Sequence, residues 1–303
     1  MFPLRFHMMR KIITIAFLAQ IFTVACNPED DMNNPVDYIN SLEISADQYP
    51  AVSPDGSTVA YYHKNIDYQE TNKYPTGLYV MDTNGNNRRL LLKGDHWNPS
   101  WAPDGNRIVF TSRGTLQIYN LKKDSIRTFQ GVNDVPLFHP DWSWDGRWIV
   151  FSSPLVEGGG FFKCDPTFIT VYKLFNLHEF SGKDPNWAPA CNKILYSKYY
   201  KGNEELFVID TSGANDTRLT NNDRTDRYSR WSPDGSLIAW SSSIRIYVMN
   251  SDGSNSQKLD YGRFPCWLPN SKAIIYSNAN QDFTKEVLYK IDIDGSNKIQ
   301  LTY

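Results

Sequence analysis

Histidine and cysteine are scarce in this chain, with five and four in 303 residues. Three of the cysteines, Cys164, Cys191 and Cys266, form no C-x-x-C pair and no zinc spacing. An odd, sparse set does not make a disulfide framework. Excess charge of either sign is missing as well. The net charge is −2 and no long basic cluster occurs, so nothing electrostatic points to nucleic acid. Past the N-terminal segment no convincing amphipathic helix is found. There is no G-x-S-x-G elbow and no H-E-x-x-H. "EGGGFF" (157–162) lacks the later glycine and the strand-to-helix context of a phosphate loop. "DIDGSN" (292–297) has Gly295 as its fourth residue and no later Glu, so it reads as a hairpin turn, not a calcium loop. No cofactor and no metal is expected.

Aromatic residues, by contrast, are plentiful at 14%, with nine Trp and eighteen Tyr. Many fall in a repeat. "SWAPDGNRIVFTS" (100–112), "DWSWDGRWIVFSS" (141–153) and "RWSPDGSLIAWSSS" (230–243) share a Trp four residues before a turn glycine. The turn positions are Gly56, Gly105, Gly146, Cys191, Gly235 and Ser271, spaced 49, 41, 45, 44 and 36 residues apart. Four residues before them stand Val52, Trp101, Trp142, Trp187, Trp231 and Trp267. Periods of ~40–50 residues with several strands each indicate propeller blades. The Trp-bearing strand ends in a Ser-Pro-Asp-Gly turn, where Pro presets φ and Gly accepts a left-handed backbone. An alternating strand follows, then a third such as "LYVMD" (78–82), "ITVYK" (169–173) or "IYVMN" (246–250). A short fourth strand such as "TRLT" (217–220) closes each copy. One blade cannot bury both faces alone and must stack on its neighbours, so a large flat residue at one fixed place fills each wedge. The expected fold is all-β, a six-bladed β-propeller of four-stranded blades over residues 47–303. Cys191 and Ser271 stand where the other copies have glycine, so those two turns are reshaped or mildly strained, or Asn192 takes the left-handed position.

The N-terminus reads as a targeting segment. Arg10-Lys11 precede "IITIAFLAQIFTV", a run too short to span a membrane comfortably, and Ala25-Cys26 follow. "TVAC" resembles the bacterial lipoprotein lipobox, with Thr23 in place of the usual leucine-like residue. The acidic "NPEDD" after it resembles a surface-export signal of Bacteroidetes lipoproteins. Residues 1–25 are expected to be a signal peptide, Cys26 the lipidation site, and 26–46 a tether and lead-in. Removing 1–25, which carry Arg5, Arg10 and Lys11 and no acid, takes the net charge from −2 to −5. The expected localisation is the bacterial cell envelope, lipid-anchored at the outer membrane, on its periplasmic or surface side.

The motif W-S/A-P-D-G-x-x-I-x-F/W followed by "IYVMD-x-x-G" resembles the WD40-like propeller repeat of the TolB type. TolB itself carries an extra α/β domain before its propeller. About twenty residues separate Cys26 from the first repeat here, so that domain is expected to be lacking. Related repeats form the propellers of prolyl-oligopeptidase-like peptidases and of oligogalacturonide lyases. A peptidase of that kind would need a hydrolase domain after residue 303.

Function on such a scaffold belongs on variable loops. The long loops 63–76 and 153–168 share the top face with the residues entering each first strand. Seven residues before each turn position stand Tyr49, Asn98, His139, Asp184, Tyr228 and Phe264. His96, Trp97, Phe138, Lys183, Asp226, Arg227 and Arg263 lie beside them. From this rim the candidate ligand-binding set is Tyr49, His96, Trp97, Asn98, Phe138, His139, Asp184, Arg227, Tyr228, Arg263 and Phe264. No catalytic residue is assigned. His96, His139, Asp184 and Asp226 are too thin a donor set for a lyase-type metal centre. The expected function is a non-catalytic binding or scaffold module for protein or glycan, membrane-attached only through its lipid and with no nucleic-acid partner. The alternative is a propeller-type polysaccharide lyase or hydrolase. Cys164 is expected in a top loop and Cys191 in a bottom turn, too far apart to bridge.

Overall fold

The turn sequences close as their composition dictates. In the first, Gly56 N–H donates to Ser53 O at 2.9 Å, while Asp55 accepts from the Ser53 hydroxyl and the Ser57 backbone. Ser143/Asp145 and Ser232/Asp234 repeat the arrangement. Gly56, Gly105, Gly146 and Gly235 all have φ between 65° and 74°. Cys191 (φ 55°) and Ser271 (φ 57°) adopt the left-handed backbone themselves.

These turns organise a computed structural model that describes residues 44–66, 73–131, 135–153, 159–175 and 182–303. The signal segment, Cys26, most of the tether, and parts of the two long loops (67–72, 154–158) lie outside the described residues. Among the described residues every regular element is a strand, 24 in all. Residues 97–129, 138–175, 183–218 and 226–261 each form a four-stranded antiparallel sheet. The remaining eight strands make one sheet. This corrects the expectation of six separate four-stranded blades: four such sheets are present, and the first and last repeats are fused. The physical reason is the length of β1 (Ser45–Val52), eight residues where the other first strands have five or six. Its extra N-terminal residues Ser45 and Ala46 pair in parallel with Lys285 and Glu286 of β23 (Lys285–Asp292).

A second correction concerns the third repeat. Its third strand is β11 (Gly160–Cys164), not 169–173, and β12 (Val171–Phe175) is its fourth. Cys164 pairs with Ile149, at the turn end of β10 (Ile149–Ser153). It therefore lies near the turn face, fully buried, and not in a top loop. Cys164, Cys191 and Cys266 are all free thiols.

The first strands line the axis. β1 touches β5 (Trp97–Trp101), and contacts run on through β9 (Phe138–Trp142), β13 (Lys183–Trp187), β17 (Asp226–Trp231) and β21 (Arg263–Trp267) back to β1. The core lies between consecutive repeats. Trp101 packs with Ala60, Leu78 and Val80 of the first repeat and Ile108 and Phe110 of its own. Trp142, Trp187, Trp231 and Trp267 each occupy the matching place. All five are at most 9% exposed, which is the wedge role that their spacing implied. Between the last repeat and the first, Val52 stands in for Trp, and Tyr61, Tyr79, Ile275 and Leu288 fill the space.

A belt of hydrogen bonds links the first strands. The Ser100 hydroxyl accepts from Trp142 N–H (3.0 Å), the Asp141 carboxylate from Trp187 N–H (2.8 Å), and the Asn186 side chain from Trp231 N–H (2.9 Å). Cys266 Sγ accepts from Val52 N–H at 3.3 Å, joining the last repeat to the first. Each such bond contributes about 1 kcal/mol net. They also fix how the first strands present their entry residues at the mouth.

Candidate binding face at the channel mouth

Each first strand carries a β-bulge at its entry, where pairing with the second strand shifts register. The bulged residues are Tyr49, Asn98, His139, Asp184, Tyr228 and Phe264, and all six have φ between 52° and 57°. A bulge bends its strand and re-aims one side chain. Holding a non-glycine residue left-handed costs about 1–2 kcal/mol. Proline follows in five of the six repeats, and Ser229 in the fifth. Pro is at home at a bulge, where no ladder N–H is needed. The alignment therefore found the rim, but nothing in it signalled six strained backbones.

The rim has two unlike halves. On one, Tyr49, Tyr228 and Phe264 form an aromatic cluster, with ring centroids 4.1 Å (Tyr49–Phe264), 4.5 Å (Tyr228–Phe264) and 6.1 Å (Tyr49–Tyr228) apart. With Asn98, Arg230 and Pro50, Pro99 and Pro265 they line a recess. Burial raises the Tyr49 hydroxyl well above its ordinary value, and raises that of Tyr228 to about 12 with help from Asp184. Both stay protonated.

The other half is ionic. Asp184 is 2% exposed. Its Oδ2 takes a hydrogen bond from Arg227 Nε at 3.2 Å, and Arg227 also meets Glu204 at 3.3 Å. Lys183 pairs with the same Glu204. Burial alone would raise the Asp184 carboxyl, but Arg227, His139 and Arg230 outweigh it and hold it low. Burial lowers His139 despite the attraction of Asp184, with Arg227, Arg230 and Lys183 pushing the same way as burial. His139 Nε2 sits 3.2 Å from Asp184 Oδ1, misaligned for a hydrogen bond, and Nδ1 lies 3.2 Å from the Ser152 hydroxyl. A serine, a histidine and an aspartate in sequence invite a hydrolytic reading. Ser152 is buried, however, and its hydroxyl is bonded to Phe138 O at 3.2 Å. The recess does not reach these three residues.

The remaining expected rim residues divide. Trp97 and Phe138 are half-buried, Trp97 edge-on to Tyr62 and Phe138 beside His139. His96 is buried against Phe110 with Nε2 near Lys93 O (3.2 Å), and burial lowers it. Arg263 is buried in a two-pronged pair with Glu286, both bonds 3.1 Å. Those two are packing and pairing residues. Asp226 is fully buried and accepts from Trp240 Nε1 and Asn222. The expected histidine–carboxylate donor set is thus not brought together, and among the described residues no group of three His, Cys, Asp or Glu could hold a metal ion. Glu204 and Arg230 were not expected at the rim. Glu204 arrives from a tight hairpin opposite Tyr199, and Arg230 lies one turn of the pleat below Tyr228.

No family model matches the chain. It is 24% identical over 209 residues to an uncharacterised protein of Agrobacterium fabrum, covering 62% of this chain and 67% of that one. It is 24% identical over 202 residues to the uncharacterised peptidase YuxL of Bacillus subtilis, covering 64% of this chain but 29% of that protein. An 88-residue segment is 28% identical to the Tol-Pal system protein TolB of Alcanivorax borkumensis, 26% of this chain and 19% of that one. Among solved structures, TolB from Acinetobacter baumannii superposes with a TM-score of 0.64 at 17% identity, over 85% of this chain and 62% of that one. The fold is that of a TolB-like propeller. An oligogalacturonate lyase in complex with manganese also superposes, with a TM-score of 0.58 at 12% identity, over 85% of this chain and 77% of that one. At that identity it shares the TolB-like fold and nothing finer.

Proposed function

We propose that this TolB-like propeller is a non-catalytic binding or scaffold module of the bacterial cell envelope, and that its channel mouth holds a protein partner. One observation carries the reading. All six bulged residues are held in a costly backbone, and this holds together an aromatic half and an ionic half. Strain kept at the same place in every repeat supports a role for that place. Rigid aromatic and arginine anchors in a recess match the residues that dominate most protein interfaces. The TolB-like fold and the lipobox-like "TVAC" support the envelope, with the mature chain tethered by lipid on Cys26.

The test is a photo-crosslinking residue placed in cells at Trp97, Phe138 or Tyr228, with Asp104 and Ser236 in the opposite turns as controls. Adducts with one identified protein should form from the mouth positions and not from the turns. Tyr228→Ala should then weaken that protein's binding by roughly 1–3 kcal/mol with the melting temperature unchanged. Adducts from the turns alone would put the working face at the other end. For the anchor, Cys26→Ala should move the protein to the soluble fraction; a variant that still sediments with membranes refutes lipidation there.

A further inference from the structure

A second recess lies away from the mouth, where the first and last repeats join. It is lined by Ser45, Asp47, His63, Tyr74, Arg88 and Glu286, with about 300 Å³ of free space counted out to solvent. Its inner wall holds two polar atoms that nothing satisfies. His63 is 7% exposed and its Nδ1 lies 2.6 Å from Asp47 Oδ1. A carboxylate accepts, so Nδ1 carries the proton and Nε2 is left with a bare lone pair. That Nε2 is buried and has no hydrogen-bond partner. Arg88 Nε is buried and unpartnered as well. Its guanidinium is caged by Tyr74, Tyr79 and Tyr61, at 4.5, 4.8 and 5.6 Å from the ring centroids, and reaches Asp47 Oδ1 only at 3.5 Å. Buried polar atoms are rarely left unpaired, and each such atom calls for an explanation.

The two atoms complement each other. One is an acceptor and one a donor, and a hydroxyl group is both: its oxygen accepts from Arg88 Nε–H while its proton goes to His63 Nε2. The cage fixes Arg88 and the Asp47 bond fixes the imidazole, so neither atom must be reoriented to bind. The wall charges nearly cancel, with Asp47 and Glu286 against Arg88 and Lys285, so the recess does not select an ion. It is narrow and takes the tip of a ligand, not a whole ring. We propose that it is a saccharide subsite, in which one terminal sugar hydroxyl bridges His63 Nε2 and Arg88 Nε and the flanking Tyr74 and Ser45 meet the rest of the residue. Sugars offer such hydroxyls at their ends, and a wall of His, Arg, Glu, Ser and Tyr is suited to reading them.

The test uses the full chain with nitrogen-labelled histidine. Methyl glycosides of glucose, galactose and mannose are titrated, with serinamide as a peptide-type hydroxyl and glycerol as a simple polyol. The His63 Nε2 resonance should shift saturably with at least one glycoside, with a Kd on the order of 1 mM, a level set by so few contacts. Binding should weaken at least tenfold in His63→Gln and in Arg88→Lys, which keeps the charge and loses the Nε donor. Melting temperatures of both variants confirm that each is folded, and Arg88→Lys stands alone should His63→Gln not fold. No shift with any glycoside overturns the proposal. An equal shift with serinamide or glycerol overturns the saccharide assignment. A glycoside shift that survives in a folded Arg88→Lys protein overturns the bridge.

Discussion

Trp101 and Trp187 occupy one motif position and pack alike, yet the structure makes their replacement by Phe unequal. Trp101 Nε1 donates to Ala51 O across the repeat boundary at 2.9 Å. Trp187 is 1% exposed and its Nε1 has no acceptor. Trp→Phe at either place removes a few tens of Å³, worth about 1 kcal/mol at ~24 cal/mol per Å³ of cavity. At Trp101 the lost hydrogen bond adds about 1–1.5 kcal/mol. At Trp187 the change removes a buried unsatisfied donor, whose burial costs about 1–3 kcal/mol, and so offsets the cavity. Trp101→Phe should therefore destabilise by about 2–2.5 kcal/mol, and Trp187→Phe by about zero. The assay is urea unfolding followed by circular dichroism, with midpoints compared at a common slope. A gap of ~2 kcal/mol corresponds to roughly 4–8 °C in melting temperature for a domain of this size. Equal losses at the two positions would refute the reasoning, since burial alone would then decide. A larger loss at Trp187 would refute it more strongly.

Cys191→Gly should stabilise the protein by about 1 kcal/mol, because glycine accepts the left-handed backbone that Cys191 now holds at φ 55°; a lower melting temperature would show that its packing beside Trp148 outweighs the strain. Among the three thiols of the propeller, half-buried Cys191 should react first with a soluble disulfide reagent, and Cys164, fully buried with its thiol pushed up by burial, last. Cys266 should also be slow, because burial raises its thiol too. Burial lowers both His96 and His139, so below the ordinary value of about 6.5 the unfolded chain takes up protons that the native state resists. This contribution is present above pH ~6.5 and is lost as pH falls through the depressed native values. Melting temperature should drop over that interval, and less steeply in His139→Gln; an unchanged slope would mean that His139 is protonated without penalty.

What the sequence revealed was whatever repeats locally. The turn chemistry and the wedge Trp recur at fixed offsets, so the all-β propeller and its inter-repeat core could be read from Trp101, Trp142, Trp187, Trp231 and Trp267. The fusion of the first and last repeats could not. It depends on Ser45 and Ala46 meeting Lys285 and Glu286, a pairing 240 residues apart that no local pattern encodes. The third repeat misled for a different reason. "ITVYK" alternates well, whereas the true third strand "GFFKC" is buried at four of five positions and shows no alternation. At the rim, alignment named the six entry residues, but not what holds them. Arg227 is tied to Asp184 and to a Glu204 that arrives from another strand, and a pair of this kind exists only once the fold has formed. It follows that rim residues and wedge residues should fail differently. Arg227→Met leaves Asp184 buried without its strongest cation, so it should destabilise by about 3–5 kcal/mol, as breaking one side of a buried pair does. Acidification should narrow that deficit, because a protonated Asp184 no longer needs the cation. Measured at pH 7 and again near pH 4, the variant should approach the parent at the lower value. A deficit independent of pH would mean that Arg227 acts through packing over Tyr228, 4.6 Å from its guanidinium, and not through charge.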